Sequence, residues 1–451
     1  MNSAVASSLP AAPPVARRAS MTRAGRAFIG VLLVLVFEGA VRKWGSASAT
    51  IPLLLLRDVL AIYVIAYAFT HGHLQRQRGV TMVLLVWSCM VVAWGLFQLV
   101  AGQSSPIILL IGLRFWLLYI WFAVAAAAAM NETDYRVAVL TAVWILVIMV
   151  PLALVQSVSP PGARINSQVG GEEDEIFLVA AGVVRTTGFF SFTLGYTTYL
   201  ALVAPLVFGV LAARKRNPLQ SLFAVLALAG LVAGSLVSGS RATIVYAIVF
   251  LPAYFLGRLW FARGPARTRA ALAVFGGVIL IGVLLFVFSG AIEIASQRFE
   301  TAAESEDFWV RLLTIFIGEP YVHDRVDWLG LGLGLGSNLA SYVRIGSQEF
   351  ALAEFEAGRI LLEGGLLGYA YTALKVGVIA VGVSKSLILS YRVRSPYPVL
   401  LWLAVSLALL TWSSIGQLSA HGMLGILLAM GLLVFKYPQA EFFPARASAR
   451  S

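Results

Sequence analysis

Long apolar runs separated by short polar segments make up most of this chain. Each run is close to the roughly 20 residues that an α-helix needs to cross a bilayer core. Strands of a membrane β-barrel would be shorter and would alternate in polarity, so helices are predicted. About twelve runs meet the length of a span. They cover residues 27–41, 51–70, 81–100, 107–130, 138–158, 187–211, 219–237, 242–260, 270–292, 360–383, 399–415 and 423–435.

The predicted fold is therefore an all-α polytopic membrane protein and not a soluble enzyme with a large core. Of 451 residues, 60% are hydrophobic and 12% are charged, about half the charged fraction of a soluble domain. We expect a long periplasmic loop between the ninth and tenth helices that acts as a lid over a site. The predicted organisation is a disordered basic tail (1–26), helices one to nine (27–292), the lid (293–359), helices ten to twelve (360–435) and a second tail (436–451).

Short basic clusters set the predicted orientation. The segments HGHLQRQR, ARKRNP, RLWFARGPARTR and KSLILSYRVRSP fall on the same side as both basic termini, whereas the opposite loops are neutral or acidic. The positive-inside rule then predicts an even number of spans with both termini in the cytoplasm, and the NETDYR loop is predicted on that side too. The net charge of +12 is explained by this pattern, so no nucleic-acid partner is predicted. One cysteine and four scattered histidines predict no disulfide and no metal site.

Charged residues at or inside the apolar runs form a further pattern. Such residues are costly in a bilayer and indicate function by default. Helix-end ion pairs, such as Arg57 with Asp58 or Glu38 with Arg42, would explain any one of them. As a set they favour a phosphate-rich ligand, because guanidinium groups bind phosphate bidentately, with arginine in place of Mg²⁺ neutralising the charge. The set is Glu38, Arg42, Lys43, Arg57, Asp58, Arg114, Arg185, Arg241, Arg359 and Glu363.

Two local patterns lie in and after the long loop. The run GLGLGLGSN, residues 330–338, lacks the lysine of a phosphate-binding P-loop, and we expect a flexible turn there. In AEFEAGRILLEGG, a helix would bring Glu356, Arg359 and Glu363 near one face, with Glu356 and Arg359 forming an ion pair. A carboxylate here could act as a general base, or the segment could be an ordinary ion-paired helix start.

Four segments between about residues 185 and 380 resemble the superfamily of O-antigen ligases and Wzy-type polysaccharide polymerases. RTTGFFSFTLGYTTYLALVAPL is similar to an Arg-x-x-Gly-Phe segment that opens a middle span, and SGSRATIVYAIVF to a later Ser-Arg segment. WVRLLTIFIGEP followed by GLGLGLGSN resembles an Arg-containing loop helix, a proline and a Gly-x-Gly turn. EFEAGRILLEGGLLGYAY resembles the closing segment, which in ligases reads His-Asn and then Glu-x-Gly-x-x-Gly.

The resemblance implies an enzyme of the bacterial inner membrane that needs neither metal nor cofactor. It implies a polyprenyl-pyrophosphate-linked oligosaccharide donor, a glycan or lipid-glycan acceptor and glycosidic bond formation at the periplasmic face, as in O-antigen or exopolysaccharide biosynthesis. Polysaccharide export or co-polymerase proteins are further expected partners. Arg241 and Arg311 match the arginines expected to hold the pyrophosphate, and Arg185 is a weaker third.

The family's histidine position falls at Glu354, so the His-Asn pair of ligases is replaced by Glu354-Phe355. This departure favours a polymerase or an exopolysaccharide relative, with Glu354 or Glu356 as the general base and Arg359 beside it. Ligation and polymerisation both stay open. So do a secondary transporter or lipid-linked glycan flippase, for which Arg114 is the one deep charge that fits, and an inert assembly subunit.

Overall fold

The structure, a computed structural model, describes residues 20–167, 179–180, 183–215, 217–287, 308–343 and 353–444. These residues form a bundle of α-helices with one antiparallel pair of two-residue strands, β1 (Val179–Ala180) and β2 (Val183–Val184). The helices are α1 (Arg23–Ala40), α2 (Thr50–Thr70), α3 (Arg78–Val100), α4 (Pro106–Leu113), α5 (Tyr119–Ala129), α6 (Glu132–Val158), α7 (Thr193–Ala212), α8 (Pro218–Val237), α9 (Arg241–Phe261), α10 (Pro265–Val287), α11 (Phe308–Ile317), α12 (Pro320–Arg325), α13 (Asn338–Val343), α14 (Glu356–Gly364), α15 (Leu366–Val393), α16 (Tyr397–Thr411) and α17 (Leu418–Lys436).

The predicted all-α polytopic membrane fold is confirmed. Within the described ranges, ten helical segments are long and apolar enough to cross a membrane. One of them joins α4 and α5 through the π-helical segment Arg114–Leu118. Two further predicted runs correspond to shorter apolar helices, the stretch Ala270–Val283 of α10 and the whole of α16. The sixth predicted run begins at Thr193 and not at residue 187, because residues 185–192 form a loop ahead of α7.

Hydrogen bonds between loops show that every second loop along the chain lies at the same end of the bundle. At one end, Lys43 after α1 binds the carbonyl of Gly188 before α7, at 2.9 Å. At this end also, Asn338 in the long loop donates its backbone N–H to the carbonyl of Gly416, at 2.8 Å. We call this the loop end. The described parts of the predicted lid, residues 308–343 and 353–359, pack here against the bundle.

The opposite end, which we call the basic end, carries the arginine- and lysine-rich connections. Thr22 donates its hydroxyl to the carboxylate of Asp134 at 2.7 Å, so the NETDYR turn lies beside the N-terminal segment, as predicted. Lys436 at the end of α17 binds the carbonyl of Met130 at 2.8 Å. The charge asymmetry in the sequence therefore corresponds to the two ends of the bundle.

The centre of the bundle is formed by α7 and α17, which are largely buried. The alanine-rich α5 packs closely along α17, because Gly422 and Gly425 leave room for Tyr119. Small residues at helix contacts are how membrane bundles achieve close packing. The peripheral helices α2, α3, α9 and α15 expose many large apolar side chains, as expected for surfaces that face lipid.

A helix break at Gly365 corrects the prediction of one continuous tenth span from residue 360. Gly365 has φ of 54°, a left-handed conformation that glycine adopts without steric cost. Helix α14 folds back along α15, and a Cβ at Gly368 would overlap with the carbonyl of Ile360. As a result, Glu356 contacts Lys375, nine residues into the following helix. The break therefore carries the acidic segment into the bundle.

Candidate functional site

Two of the predicted arginines, Arg185 and Arg241, come together at the loop end. Arg185 lies ahead of α7 and Arg241 is the first residue of α9; both are half-buried. Burial, and then the positive charge of Arg241, lowers the pKa of Arg185. Arginine does not deprotonate in proteins, so the lowered pKa reports first the cost of burying this cation and then its repulsion by Arg241. Within the described residues, the arrangement favours an anion between or beside the two guanidinium groups.

The segment that carries Arg185 is held by a polar network. The Lys43 ammonium donates to the hydroxyl of Thr187 at 2.8 Å and to the carbonyl of Gly188 at 2.9 Å. The amide oxygen of Gln156 accepts the backbone N–H of Thr187 and of Gly188, at 3.2 and 2.8 Å. The neighbouring Thr186 hydroxyl donates to the carbonyl at the end of α8. This network fixes the backbone next to Arg185, so its position does not depend on the arginine pair itself.

Arg311 lies on α11, which packs against α14 and α16. Its side chain is outside the described part of the structure, so its predicted role remains a prediction. The end of α16 also meets α9, since Tyr246 contacts the Thr411 hydroxyl at 3.1 Å and accepts the indole N–H of Trp412 at 3.2 Å. The elements that carry Arg241, Arg311 and Arg359 therefore converge on the end of α16.

Glu356 is buried in an ion pair, but not with Arg359 as expected. Its carboxylate lies 3.8 Å from the Lys375 ammonium. It also accepts the hydroxyl of Ser414 at 2.6 Å and the backbone N–H of Ile415 at 3.2 Å. Glu356 is thus surrounded by donors and is only 2% exposed. This environment suits a residue that fixes α14 in place better than one that takes a proton from a substrate.

Arg359 points into the bundle, and 6% of it is exposed. Its Nε donates to the carbonyl of Ala353 at 2.7 Å. Its Nη1 lies over Gly416, where any Cβ would overlap with it. Within the described residues Nη1 has no hydrogen-bond partner. Arg359 is thus a buried cation that can donate a further hydrogen bond from Nη1.

Glu354, the residue at the family's histidine position, is exposed just ahead of α14. Its backbone N–H donates to Glu319 at 2.5 Å, and the N–H of Phe355 donates to the same oxygen at 2.9 Å. Sequence reasoning missed Glu319, which is 7% exposed. A single carboxylate after the apolar helix α11 and directly before Pro320 was the signal that could have identified it. Glu319 is therefore added to the candidate site.

The glycine-rich run 330–338 is not the flexible turn that we expected. It is largely buried, and its backbone binds residues of the bundle. The carboxylate of Glu363 accepts the N–H of Gly334 at 2.9 Å and of Gly336 at 2.8 Å. The side chain of Gln98 holds the same loop from α3 by donating to the carbonyl of Leu329 and accepting the N–H of Leu333. These amide groups are occupied by the chain's own carboxylate and do not form a phosphate site.

A second buried network joins α1, α2 and the π-helical segment after α4. Arg57 is fully buried and pairs with Glu38 at 3.2 Å. The expected pairing of Glu38 with Arg42 is therefore wrong. Arg57 also approaches Asp58 at 3.8 Å. Arg114 binds Asp58 through two nitrogens, at 2.6 and 2.9 Å. The network thus contains two positive and two negative side chains. Its residues on α2, Arg57 and Asp58, lie about 10 Å along the helix from the loop end of α2.

Comparisons with models of protein families, with curated proteins and with solved structures found no match. Within the described residues, no group of three or more His, Cys, Asp or Glu side chains is arranged to hold a metal ion. A cavity of about 210 Å³ lies at the basic end, between Gly209, Tyr397 and Phe442, away from the arginines and carboxylates described above. The candidate site among the described residues is therefore at the loop end.

Proposed function

We propose that the protein is a membrane glycosyl transfer enzyme that polymerises or ligates polyprenyl-pyrophosphate-linked glycan units. The observation that carries the proposal is the proximity of Arg185 and Arg241, which lie 56 residues apart in the chain but come from two neighbouring connections of the loop end. Holding two guanidinium groups together is costly unless an anion binds them. A diphosphate supplies two adjacent anionic groups with oxygens at the spacing that guanidinium forks bind.

The same pair would serve the chemical step. The acceptor hydroxyl attacks the anomeric carbon of the donor sugar, and the bond from that carbon to the diphosphate oxygen breaks. The electron pair leaves with the polyprenyl diphosphate, and the hydroxyl proton passes to a carboxylate of the closing segment. Fixed cations at the leaving group stabilise the negative charge that develops there. Glu354 is the better candidate for the base, since it is exposed, whereas Glu356 is buried beside Lys375.

The proposed location is the bacterial inner membrane, with the loop end in the periplasm and both termini in the cytoplasm. The concentration of lysine and arginine at the basic end supports this orientation. The donor would be a polyprenyl-pyrophosphate-linked oligosaccharide and the acceptor a glycan or lipid-glycan. Export or co-polymerase proteins would act next to it.

Replacement of Arg241 tests the proposal. In a strain that depends on this protein for its polysaccharide, Arg241→Ala should lower polymer synthesis by roughly 10²-fold or more, with unchanged protein in the membrane. Arg241→Lys should recover only part, because an ammonium lacks the bidentate fork. Arg392→Ala, an exposed arginine at the basic end, is the matched control. Normal polymer in Arg241→Ala would refute the proposal.

A second function, transport or flipping of a lipid-linked glycan, is favoured by two other observations. The helix is broken at Gly365, and a charged network with Arg57, Asp58 and Arg114 lies inside the bundle. Both are features of transporters. The leaflet that accumulates lipid-linked units in a deletion strain separates the two. Outer-leaflet accumulation supports glycosyl transfer, and inner-leaflet accumulation supports flipping.

A further inference from the structure

Two buried polar atoms at the start of α14 have no hydrogen-bond partner within the described part of the chain. They are Oε2 of Glu319 and Nη1 of Arg359. The two residues are 7% and 6% exposed, so more than nine-tenths of each is buried. A buried polar group without a partner costs about 1–3 kcal/mol, more when it is charged. Unsatisfied groups of this kind at a candidate site point to something that binds there.

Both side chains are anchored on the same short stretch of backbone. Arg359 donates from Nε to the carbonyl of Ala353, while Oε1 of Glu319 accepts the N–H groups of Glu354 and Phe355. Consecutive Cα atoms are about 3.8 Å apart, so the two anchor points are neighbours. Each side chain uses one polar atom for this anchoring and keeps a second one, Nη1 of Arg359 or Oε2 of Glu319, unpaired. The free donor and the free acceptor thus belong to side chains that are both held by the peptide group between Ala353 and Glu354.

A glycine lies against each of the two unpaired atoms. A Cβ at Gly358 would overlap with Oε2 of Glu319, and a Cβ at Gly416 would overlap with Nη1 of Arg359. Neither glycine has a positive φ, so backbone conformation does not explain why glycine stands at these positions. The absence of a side chain there is what allows the carboxylate and the guanidinium to occupy their positions.

We infer that Glu319 and Arg359 form a binding site for a sugar hydroxyl of the glycan acceptor, with Arg359 donating to the hydroxyl oxygen and Glu319 accepting its proton. A hydroxyl is the common biological group that accepts and donates at once. A phosphate would be repelled by the Glu319 carboxylate, and an ammonium would be repelled by Arg359. This inference rests on the proposed function, to which it adds a glycan subsite that is separate from the diphosphate site at Arg185 and Arg241.

Tyr321 at the edge of the site fits the same ligand. Its ring is 44% exposed and follows Glu319 by two residues. Burial of its hydroxyl, and then the negative charges of Glu319 and Glu354, raises the pKa of Tyr321, whereas Arg325 and Arg359 oppose the rise. The phenol thus lies within electrostatic range of both binding residues. An exposed aromatic ring beside a carboxylate and a guanidinium offers an apolar face and polar partners to a sugar ring.

Binding of neutral glycans to the full-length protein tests the inference. The probe is an array of phosphate-free oligosaccharides, presented to the protein in lipid nanodiscs. We expect the wild type to bind at least one array glycan. We expect Glu319→Gln to weaken that binding by about tenfold to a hundredfold. The amide oxygen still caps Glu354 and Phe355, but the second atom changes from an acceptor to a donor. Glu132→Gln, at an exposed position of the basic end, should bind as the wild type does.

Gly358→Ala provides an independent variant, since the added methyl group would displace the Glu319 carboxylate without changing its chemistry. It should weaken the same glycan to a similar extent in protein whose melting temperature shows that it is folded. If the wild type binds no array glycan, or if Glu319→Gln binds as tightly as the wild type, the inference is wrong. Either result would mean that the two atoms bind water alone.

A second probe, geranyl diphosphate, separates this inference from the proposed function. Arg241→Ala should lose geranyl diphosphate and keep the array glycan, whereas Glu319→Gln should do the opposite. If Arg241→Ala leaves diphosphate binding intact while Glu319→Gln weakens the glycan, the proposed function fails and the glycan site stands. The reverse pattern refutes the glycan site and leaves the diphosphate site in place.

Discussion

The indole N–H of Trp116 donates a hydrogen bond of 3.0 Å to the carboxylate of Glu363. The backbone N–H groups of Gly334 and Gly336 donate to the same carboxylate, so one fully buried side chain joins the loop run 330–338 to the π-helical segment after α4. Above the pKa of Glu363, which is about 7, the carboxylate is ionised, and hydrogen bonds to an ionised acceptor are about twice as strong as neutral ones. The loop is thus fixed to the bundle largely through Glu363.

Glu363→Gln should destabilise the protein although its shape is nearly unchanged. The amide oxygen can still accept from Trp116, but the amide N–H₂ would face a backbone N–H of the glycine run. We expect a loss of about 1–3 kcal/mol in unfolding free energy, measured at pH 8 by denaturant unfolding in detergent. The exposed Glu132→Gln should change it by less than about 0.5 kcal/mol. Equal stability of the two variants would contradict the role of Glu363.

Glu363 should also make stability depend on pH. Burial, opposed by the donors Gly334, Trp116 and Gly336, raises the pKa of Glu363 from 4.5 to about 7. Between these values the folded chain holds a proton that the unfolded chain has lost. The stabilisation from this residue is therefore full below pH 4.5 and is lost as pH rises through about 7. We expect unfolding free energy to fall over this range in the wild type more steeply than in Glu363→Gln, measured at pH 5, 6, 7 and 8. Parallel profiles would show that Glu363 does not titrate there.

The helical type and approximate bounds of most membrane segments could be predicted, because a segment inside a bilayer must satisfy its own backbone hydrogen bonds. Within the described residues, ten of the twelve predicted spans are long enough to cross a membrane and two correspond to shorter apolar helices. The partners of buried charges could not. Local spacing suggested Glu356 with Arg359, but the break at Gly365 brings Lys375 to Glu356 instead. The burial of the glycine run 330–338 could not be predicted either, because it depends on partners distant in the chain. Leu333 packs in a hydrophobic cluster with residues of the bundle, and Gly334 and Gly336 donate to Glu363.

Gly416→Ala should lower activity through Arg359. The added Cβ would overlap with Nη1 of Arg359, so the guanidinium must move. A displacement of about 1 Å in a binding group can cost roughly 10²-fold in rate, and we expect polymer synthesis to fall by that order. Gly377→Ala, where a Cβ meets no atom within 4 Å, is the control. Full activity of Gly416→Ala would show that the position of Arg359 does not matter.

The pair formed by Lys375 and Glu356 should behave as a coupled unit. Lys375→Met leaves a buried carboxylate without its cation and should cost about 3–5 kcal/mol of unfolding free energy. The double variant Lys375→Met/Glu356→Gln should recover most of this loss, because neither charge then remains buried. Lys385→Met, an exposed site on the same helix α15, should be nearly neutral. Strictly additive single effects in a double-mutant cycle would contradict the ion pair.

Lys43 should control diphosphate binding without touching the ligand. Its ammonium holds the hydroxyl of Thr187 and the carbonyl of Gly188, two and three residues after Arg185. Lys43→Met removes both bonds and frees the backbone that positions Arg185. Losing a charge-assisted hydrogen bond costs about 1.5–3 kcal/mol. The affinity for geranyl diphosphate should therefore fall by about tenfold or more, although Arg241 itself is unchanged. Lys43→Arg should restore part of it, since a longer cation can still donate to the carbonyl. If Lys43→Met binds the diphosphate as the wild type does, Arg185 is positioned by Gln156 alone, or it takes no part in binding.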